Sequence, residues 1–88
     1  MSMLTAEAIQ QKLLDELDVT EVMVKLDGSH AAVTAVGDIF ADLSRVKKQQ
    51  LVYAPLKAWI ASGELHAVSI RTYTVSEWQR EKKLAMLS

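Results

Sequence analysis

The residues best suited to chemistry in this chain are its two histidines, His30 and His66. Imidazole is the one side chain here that can both bind a transition metal and change charge near neutral pH, because the sequence contains no cysteine. His30 ends the turn Asp27-Gly28-Ser29-His30, and His66 opens the run 66–70. Two ligands cannot close a four-coordinate site. Either the histidines are unrelated surface groups, or another molecule supplies the missing ligands.

Each histidine also has an ordinary structural interpretation. A histidine in a polar turn, such as His30, is usually exposed. A histidine in line with Val68 and Ile70, such as His66, is more often hydrogen-bonded at the edge of a core. The residues by themselves leave both the ligand and the structural interpretations open.

Motifs of enzyme catalysis are missing from the sequence. It has no cysteine nucleophile, no Gly-x-Ser-x-Gly elbow, no glycine-rich phosphate loop and no His-Glu-x-x-His pair. The carboxylates are scattered and show no acid/base spacing. We therefore expect a protein that is not an enzyme.

A basic cluster, Arg45, Lys47 and Lys48, stands at a predicted helix start. Cations beside the unpaired N–H groups of a helix N-terminus suit phosphate binding, and Gln49 would add hydrogen bonds to sugars or bases. The alternative is a solvated helix face, because a net charge of −1 is far from that of dedicated nucleic-acid binders. Charge alone favours the solvated face, and a nucleic-acid surface is the second interpretation.

Length and composition predict the class of protein. Eighty-eight residues, 50% of them hydrophobic, predict one small domain over residues 1–88. No apolar run approaches the ~20 residues of a membrane span, and no signal-peptide pattern is visible. We expect a cytoplasmic protein without a membrane partner. Residues 1–42 carry a charge of −6 and residues 43–88 carry +5, which predicts a dipole that steers partners.

The first half of the chain predicts a helix followed by a hairpin. Thr5 is a helix cap, and apolar residues three and four apart predict a helix over about 5–17. Alternating residues predict strands over 21–26 and 31–36, joined at Asp27-Gly28. The stretch 38–43 is expected to form a short turn.

The second half predicts helices around Pro55, then a strand and a last helix. Val46, Tyr53, Leu56 and Ile60 are expected to form one apolar stripe. Because an interior proline kinks or breaks a helix, two helices (about 44–53 and 55–62) and one bent helix fit equally well. A strand over 66–73 follows. The capping box 74–77 starts a basic helix through about residue 84.

The order αββααβα predicts the α+β class. The long helical connection between the second and third strands favours a parallel pair in a mixed three-stranded sheet with helices packed on it.

These motifs, in this order, resemble the BolA family. The resemblance covers about residues 5–83 and is most specific in the segments Arg-Val-Lys-Lys-Gln-Gln (45–50) and Leu-His-Ala-Val-Ser-Ile (65–70). Phe40, Tyr53, Pro55-Leu56 and Tyr73-Thr74 also match. The Asp27-Gly28-Ser29-His30 turn and the Glu77-Trp78 ending resemble the bacterial IbaG-type (YrbA-type) branch, in which a histidine stands in the hairpin loop.

The resemblance implies a fold related to the type II KH domain and a role as partner of a monothiol glutaredoxin. Such pairs share a [2Fe–2S] cluster, to which the glutaredoxin cysteine and a glutathione thiol supply two ligands. The third-strand histidine, here His66, and the hairpin-loop histidine, here His30, would supply the others. The implied role is iron–sulfur trafficking, iron sensing or stress response. The isolated chain is expected to be a monomer without cofactor.

Relatives are also described as DNA-binding transcriptional regulators, which implies that Arg45, Lys47, Lys48 and Gln49 contact DNA. The Gly-x-x-Gly loop with which KH domains grip a nucleic-acid backbone is missing from this sequence. KH-style clamping of RNA is therefore not expected.

Overall fold

The computed structural model describes residues 4–87, so residues 1–3 and 88 of the predicted domain lie outside the described part. The elements follow the predicted order αββααβα, with two short 3₁₀ turns added, and the predicted α+β class is confirmed. They are α1 (Ala6–Glu16), β1 (Glu21–Asp27), β2 (His30–Val36), a 3₁₀ turn (Asp38–Phe40), α2 (Arg45–Tyr53), a second 3₁₀ turn (Ala54–Leu56), α3 (Lys57–Ser62), β3 (Ala67–Tyr73) and α4 (Val75–Leu87).

The three strands form one mixed sheet in the order β1-β2-β3. β1 runs antiparallel to β2 through the Asp27–His30 turn, and β2 runs parallel to β3, as predicted. Gly28 occupies the turn with φ of 61°, a left-handed conformation that glycine adopts without strain. Helices α1, α2 and α3 cover one face of the sheet and enclose the core: Ile9, Leu13, Val22, Ala31, Val33, Ala35, Phe40, Val52, Leu56 and Leu65.

The apolar stripe predicted for the middle helices is wrong for Val46 and Tyr53 and confirmed for Leu56 and Ile60. Val46 is 63% exposed and Tyr53 is also exposed, whereas Val52 and Leu56 are buried. The buried stripe passes through Val52, one position before Tyr53, and continues to Leu56 four residues on. Pro55 lies in the second 3₁₀ turn, which separates α2 from α3. The two-helix alternative is therefore the observed one, and Gly63 ends α3 with φ of 87°.

Helix α4 lies across one end of the sheet's other face. The Trp78 ring packs 5.2 Å from the Tyr73 ring, and Lys82 Nζ lies 3.8 Å from a Glu21 carboxylate oxygen. Val36, between these two strand ends, is buried although it lies outside the core cluster. The helix runs to Leu87, three residues beyond its predicted end. In the described part of the chain, no helix has the length and apolar content that crossing a membrane requires.

The predicted capping box at the start of α4 is formed in both directions. The Glu77 backbone N–H donates to Thr74 Oγ1 at 3.3 Å, and the Thr74 N–H donates to Glu77 Oε1 at 2.8 Å. This backbone hydrogen bond is the main reason that the pKa of Glu77 is lowered. The Thr74 side chain and the charges of Lys48 and Arg80 add to the effect.

The lowered pKa predicts how the start of α4 responds to acid. A carboxyl group with a lowered pKa in the fold stabilises it above the ordinary carboxyl pKa, and this stabilisation is lost as pH falls through the lowered value. We expect the Thr74 amide resonance to titrate with a midpoint below that of Glu77 in the urea-unfolded chain. Glu77→Gln should remove the titration while keeping an acceptor. A folded-state midpoint at or above the unfolded one would contradict the prediction.

Candidate functional site

Both histidines lie at the same end of the sheet. His30 is the first residue of β2 and stands beside Ala67, the first residue of β3. His66 precedes Ala67, and its backbone N–H donates to the Ser29 carbonyl at 2.8 Å. With strands spaced about 4.8 Å apart and a rise of about 3.3 Å per residue, the Cα atoms of the two histidines are roughly 6 Å apart. The parallel pairing thus brings together two residues that are 36 positions apart in sequence.

The two imidazoles are exposed and only weakly held. His30 Nε2 lies 3.4 Å from Ser69 Oγ, which is long for a hydrogen bond. In the described part of the chain, the His66 ring has no hydrogen-bond partner, and the residue is exposed. The interpretation of His66 as a hydrogen-bonded histidine at the core edge is therefore wrong: the residue stands before the strand, where alternation no longer turns it inward.

The two imidazoles at this end of the sheet suit a metal site whose other ligands come from a second molecule. They are too few for a site formed by the described residues alone. Neutral imidazole is a good ligand for iron. Among residues 4–87, no three His, Cys, Asp or Glu residues group closely enough to hold a metal ion. The chain thus offers two exposed nitrogen ligands at one edge, and a metal centre there would need the remaining ligands from another molecule.

A second surface, the basic groove, lies between α2 and the outer edge of β3. Arg45, Lys48, Gln49 and Val52 follow the spacing i, i+3, i+4 and i+7, so the face of α2 that buries Val52 carries polar residues nearer its start. The Gln49 amide donates to the Ile70 carbonyl at 3.1 Å. The groove has a volume of about 290 Å³ and is lined by Arg45, Lys48, Gln49, Ile70, Arg71, Thr72 and Tyr73.

The basic groove does not contain every predicted residue, and it includes one that the sequence did not suggest. Lys47 instead lines a separate, mostly apolar depression with Leu43 and Leu51. Arg71 joins Lys48 in the groove although the two are 23 positions apart. The inner face of α2 could have been predicted from the helical spacing of residues 45, 48, 49 and 52. The place of Arg71 in the groove could not, because it depends on the packing of α2 against β3.

The match of the sequence to a family model, together with the fold, identifies the class of protein. Residues 8–77 match the family model described as BolA-like protein, and the chain belongs to this family.

Among its relatives, the acid stress protein IbaG of Escherichia coli K12 is 54% identical over 76 residues, which are 86% of this chain and 90% of that protein. Two solved structures agree in fold. A BolA homologue from Coxiella burnetii has a TM-score of 0.76 and 28% identity, over 88% of this chain and 99% of that one. BolA1 from Arabidopsis thaliana has a TM-score of 0.72 and 33% identity, over 82% and 93%.

Proposed function

We propose that this BolA-family protein is a non-enzymatic adaptor that binds a monothiol glutaredoxin and shares a [2Fe–2S] cluster with it. His66 is the first ligand and His30 the second, while the partner's cysteine and a glutathione thiol complete the set. The observation that carries the proposal is the exposed histidine pair at one end of the sheet, with no third ligand grouped beside it among the described residues.

The histidine pair also bears on what such a cluster would do. An imidazole ligand in place of a thiolate removes negative charge, which raises the reduction potential of the cluster, as in Rieske centres. The Ser29 carbonyl ties the hairpin turn to the backbone before β3 and so holds the two histidine backbones side by side. The chain's own contribution is to position two imidazoles and leave the opposite side of the cluster to the partner.

The cellular role that we propose is iron–sulfur trafficking, iron sensing or stress response in the cytoplasm. Similarity to a protein named for acid stress supports the stress role.

Reconstitution tests the proposed function. The full chain is mixed with a monothiol glutaredoxin, glutathione, iron and sulfide without oxygen, and is followed by visible absorption, circular dichroism and size-exclusion chromatography. We expect a one-to-one complex whose visible dichroism differs from that of the glutaredoxin homodimer loaded in the same way. A spectrum equal to that of the homodimer, with this chain eluting alone, would refute the proposal.

The basic groove favours a second candidate function, a DNA-binding regulator. Arg45, Lys48 and Arg71 converge from two elements on one groove, which suits contact with a phosphate backbone. The two functions are compatible, because the groove and the histidine pair are separate surfaces along β3.

The salt dependence of DNA binding tests this second function. Each phosphate contact contributes about one unit to the slope of log affinity against log salt concentration, so we expect Lys48→Ala and Arg71→Ala each to lower the slope by about one. Lys47→Ala is the matched control and should leave it unchanged, because Lys47 lies outside the groove. Equal effects of Lys47→Ala and Lys48→Ala on duplex DNA, or binding that ignores salt, would exclude the groove.

A further inference from the structure

The sheet face opposite the core is only partly covered, and the strand register orders its residues into rows. One row, Glu21, Val36 and Tyr73, lies beneath α4. The next two rows are uncovered, and we call them the open face. They consist of Met23, Thr34 and Arg71, then Lys25, Ala32 and Ser69. The trough above the open face has a volume of about 800 Å³.

The open face is cationic at its two edges and small and uncharged between them. Lys25 stands beside Met23 on edge strand β1, and Arg71 stands beside Ser69 on edge strand β3. Only the side chains of Ala32 and Thr34 lie on the central strand between them. Both cations are exposed, and neither has an acidic partner within ion-pair distance among residues 4–87. Neither open row contains an acidic residue, so the face is complementary to negative charge.

The dimensions of the open face fit an α-helix lying beside α4. The midpoint of the two open rows is three residues along β2 from Val36, or about 10 Å, and packed helices lie about 8–10 Å apart. Lys25 and Arg71 are separated by two strand spacings and two residues along the strands, about 12 Å between Cα atoms. Two residues on one helix face, seven positions apart, are separated by about 10.5 Å, and lysine and arginine side chains reach across the difference.

We propose that the open face docks an amphipathic helix of a partner protein that carries two acidic residues seven positions apart with small residues between them. The small centre lets the helix backbone approach the sheet, and the two acidic side chains pair with Lys25 and Arg71. The inference does not depend on the proposed cluster, because the two open rows lie between α4 and the row that contains His30.

A designed peptide tests this proposal. The probe is a synthetic 18-residue alanine-rich helix with two glutamates seven positions apart and glutamines on the opposite face. It is titrated into the ¹⁵N-labelled full chain. We expect amide shifts at Lys25, Ala32, Thr34 and Ser69, and an affinity that falls with salt. The double variant Lys25→Glu/Arg71→Glu should weaken binding about tenfold or more, because two exposed ion pairs are lost and replaced by repulsion.

Two controls make the result decisive. Lys57→Glu removes an exposed cation on the helix-covered side and should leave the affinity unchanged. A peptide with lysines at the two glutamate positions should bind the double variant and not the original chain, which also shows that the variant is folded. Shifts confined to the basic groove, no charge-swap rescue, or binding of a single-stranded oligonucleotide instead of the peptide would each overturn the proposal.

Discussion

Replacing Phe40 with alanine is expected to lower the free energy of unfolding by about 3–5 kcal/mol. Phe40 is only 1% exposed and is the largest of the fully buried side chains, and it packs into the core from the 3₁₀ turn after β2. Removing its ring deletes apolar contacts and leaves a cavity that a tightly packed small core cannot fill. A domain of this length has a total stability of about 4–13 kcal/mol, so the variant would lose a substantial share of it.

Val46→Ala is the matched control for Phe40→Ala. Val46 is 63% exposed, so its truncation is expected to change the unfolding free energy by no more than about 0.5 kcal/mol. Urea unfolding followed by tryptophan fluorescence measures both variants. A loss below about 1 kcal/mol for Phe40→Ala, or a larger loss for Val46→Ala than for Phe40→Ala, would contradict the described core.

Local signals in the sequence predicted most of the elements. Thr5 caps its helix as expected, and Ser44 caps α2 in the same way, each accepting a backbone N–H three residues on; the 74–77 capping box is also formed. Alternation correctly placed Val22 inside and Lys25 outside. Because these features depend on interactions between residues close in sequence, they can be predicted from the sequence itself.

The predictions that failed depend on phase or on tertiary packing. The apolar stripe was drawn through Val46 and Tyr53, whereas α2 buries Val52, one position before Tyr53, and leaves Val46 exposed. Arg71 joins the basic groove only because β3 pairs with β2 and α2 packs on its edge. The exposure of His66 follows from its place just before the strand, and single-residue boundaries are poorly specified by periodicity.

His66→Ala is expected to abolish the visible circular dichroism of the mixed glutaredoxin complex. Losing an outer-shell partner of a metal ligand typically costs roughly 10–100-fold in affinity, and losing a ligand itself should cost more. His66 is exposed and its side chain has no hydrogen-bond partner in the described part of the chain, so the free variant should remain folded. The measurement is cluster retention after gel filtration, with the far-ultraviolet spectrum as the folding check.

Two further variants, His30→Ala and Ser69→Ala, test the ligand assignment in the same complex. We expect His30→Ala to weaken the complex. Ser69→Ala should leave it unchanged, because the hydrogen bond between the Ser69 hydroxyl and the His30 ring is long, at 3.4 Å. If His66→Ala retains the complex spectrum and its stability, the ligand assignment is wrong. If His66→Ala abolishes the complex and His30→Ala leaves it unchanged, His30 is not the second ligand.

Strand β3 connects the three surfaces described for this protein. His66 directly precedes it, its Ile70 carbonyl accepts the Gln49 amide in the basic groove, and Arg71 lines both that groove and the trough above the open face. His66 is three positions from Ser69 on the open face and four positions from Ile70 in the basic groove.

Pulsed electron paramagnetic resonance of the reduced mixed complex tests directly whether histidines of this chain are ligands of the cluster. Only this chain is labelled, with ¹⁵N in its histidine side chains, while glutaredoxin and glutathione are unlabelled. We expect nitrogen couplings to the cluster that change with the label and that lose the His30 contribution in His30→Ala, the variant expected only to weaken the complex. A reduced cluster with no coupling to the labelled nitrogens would show that neither His66 nor His30 is a ligand.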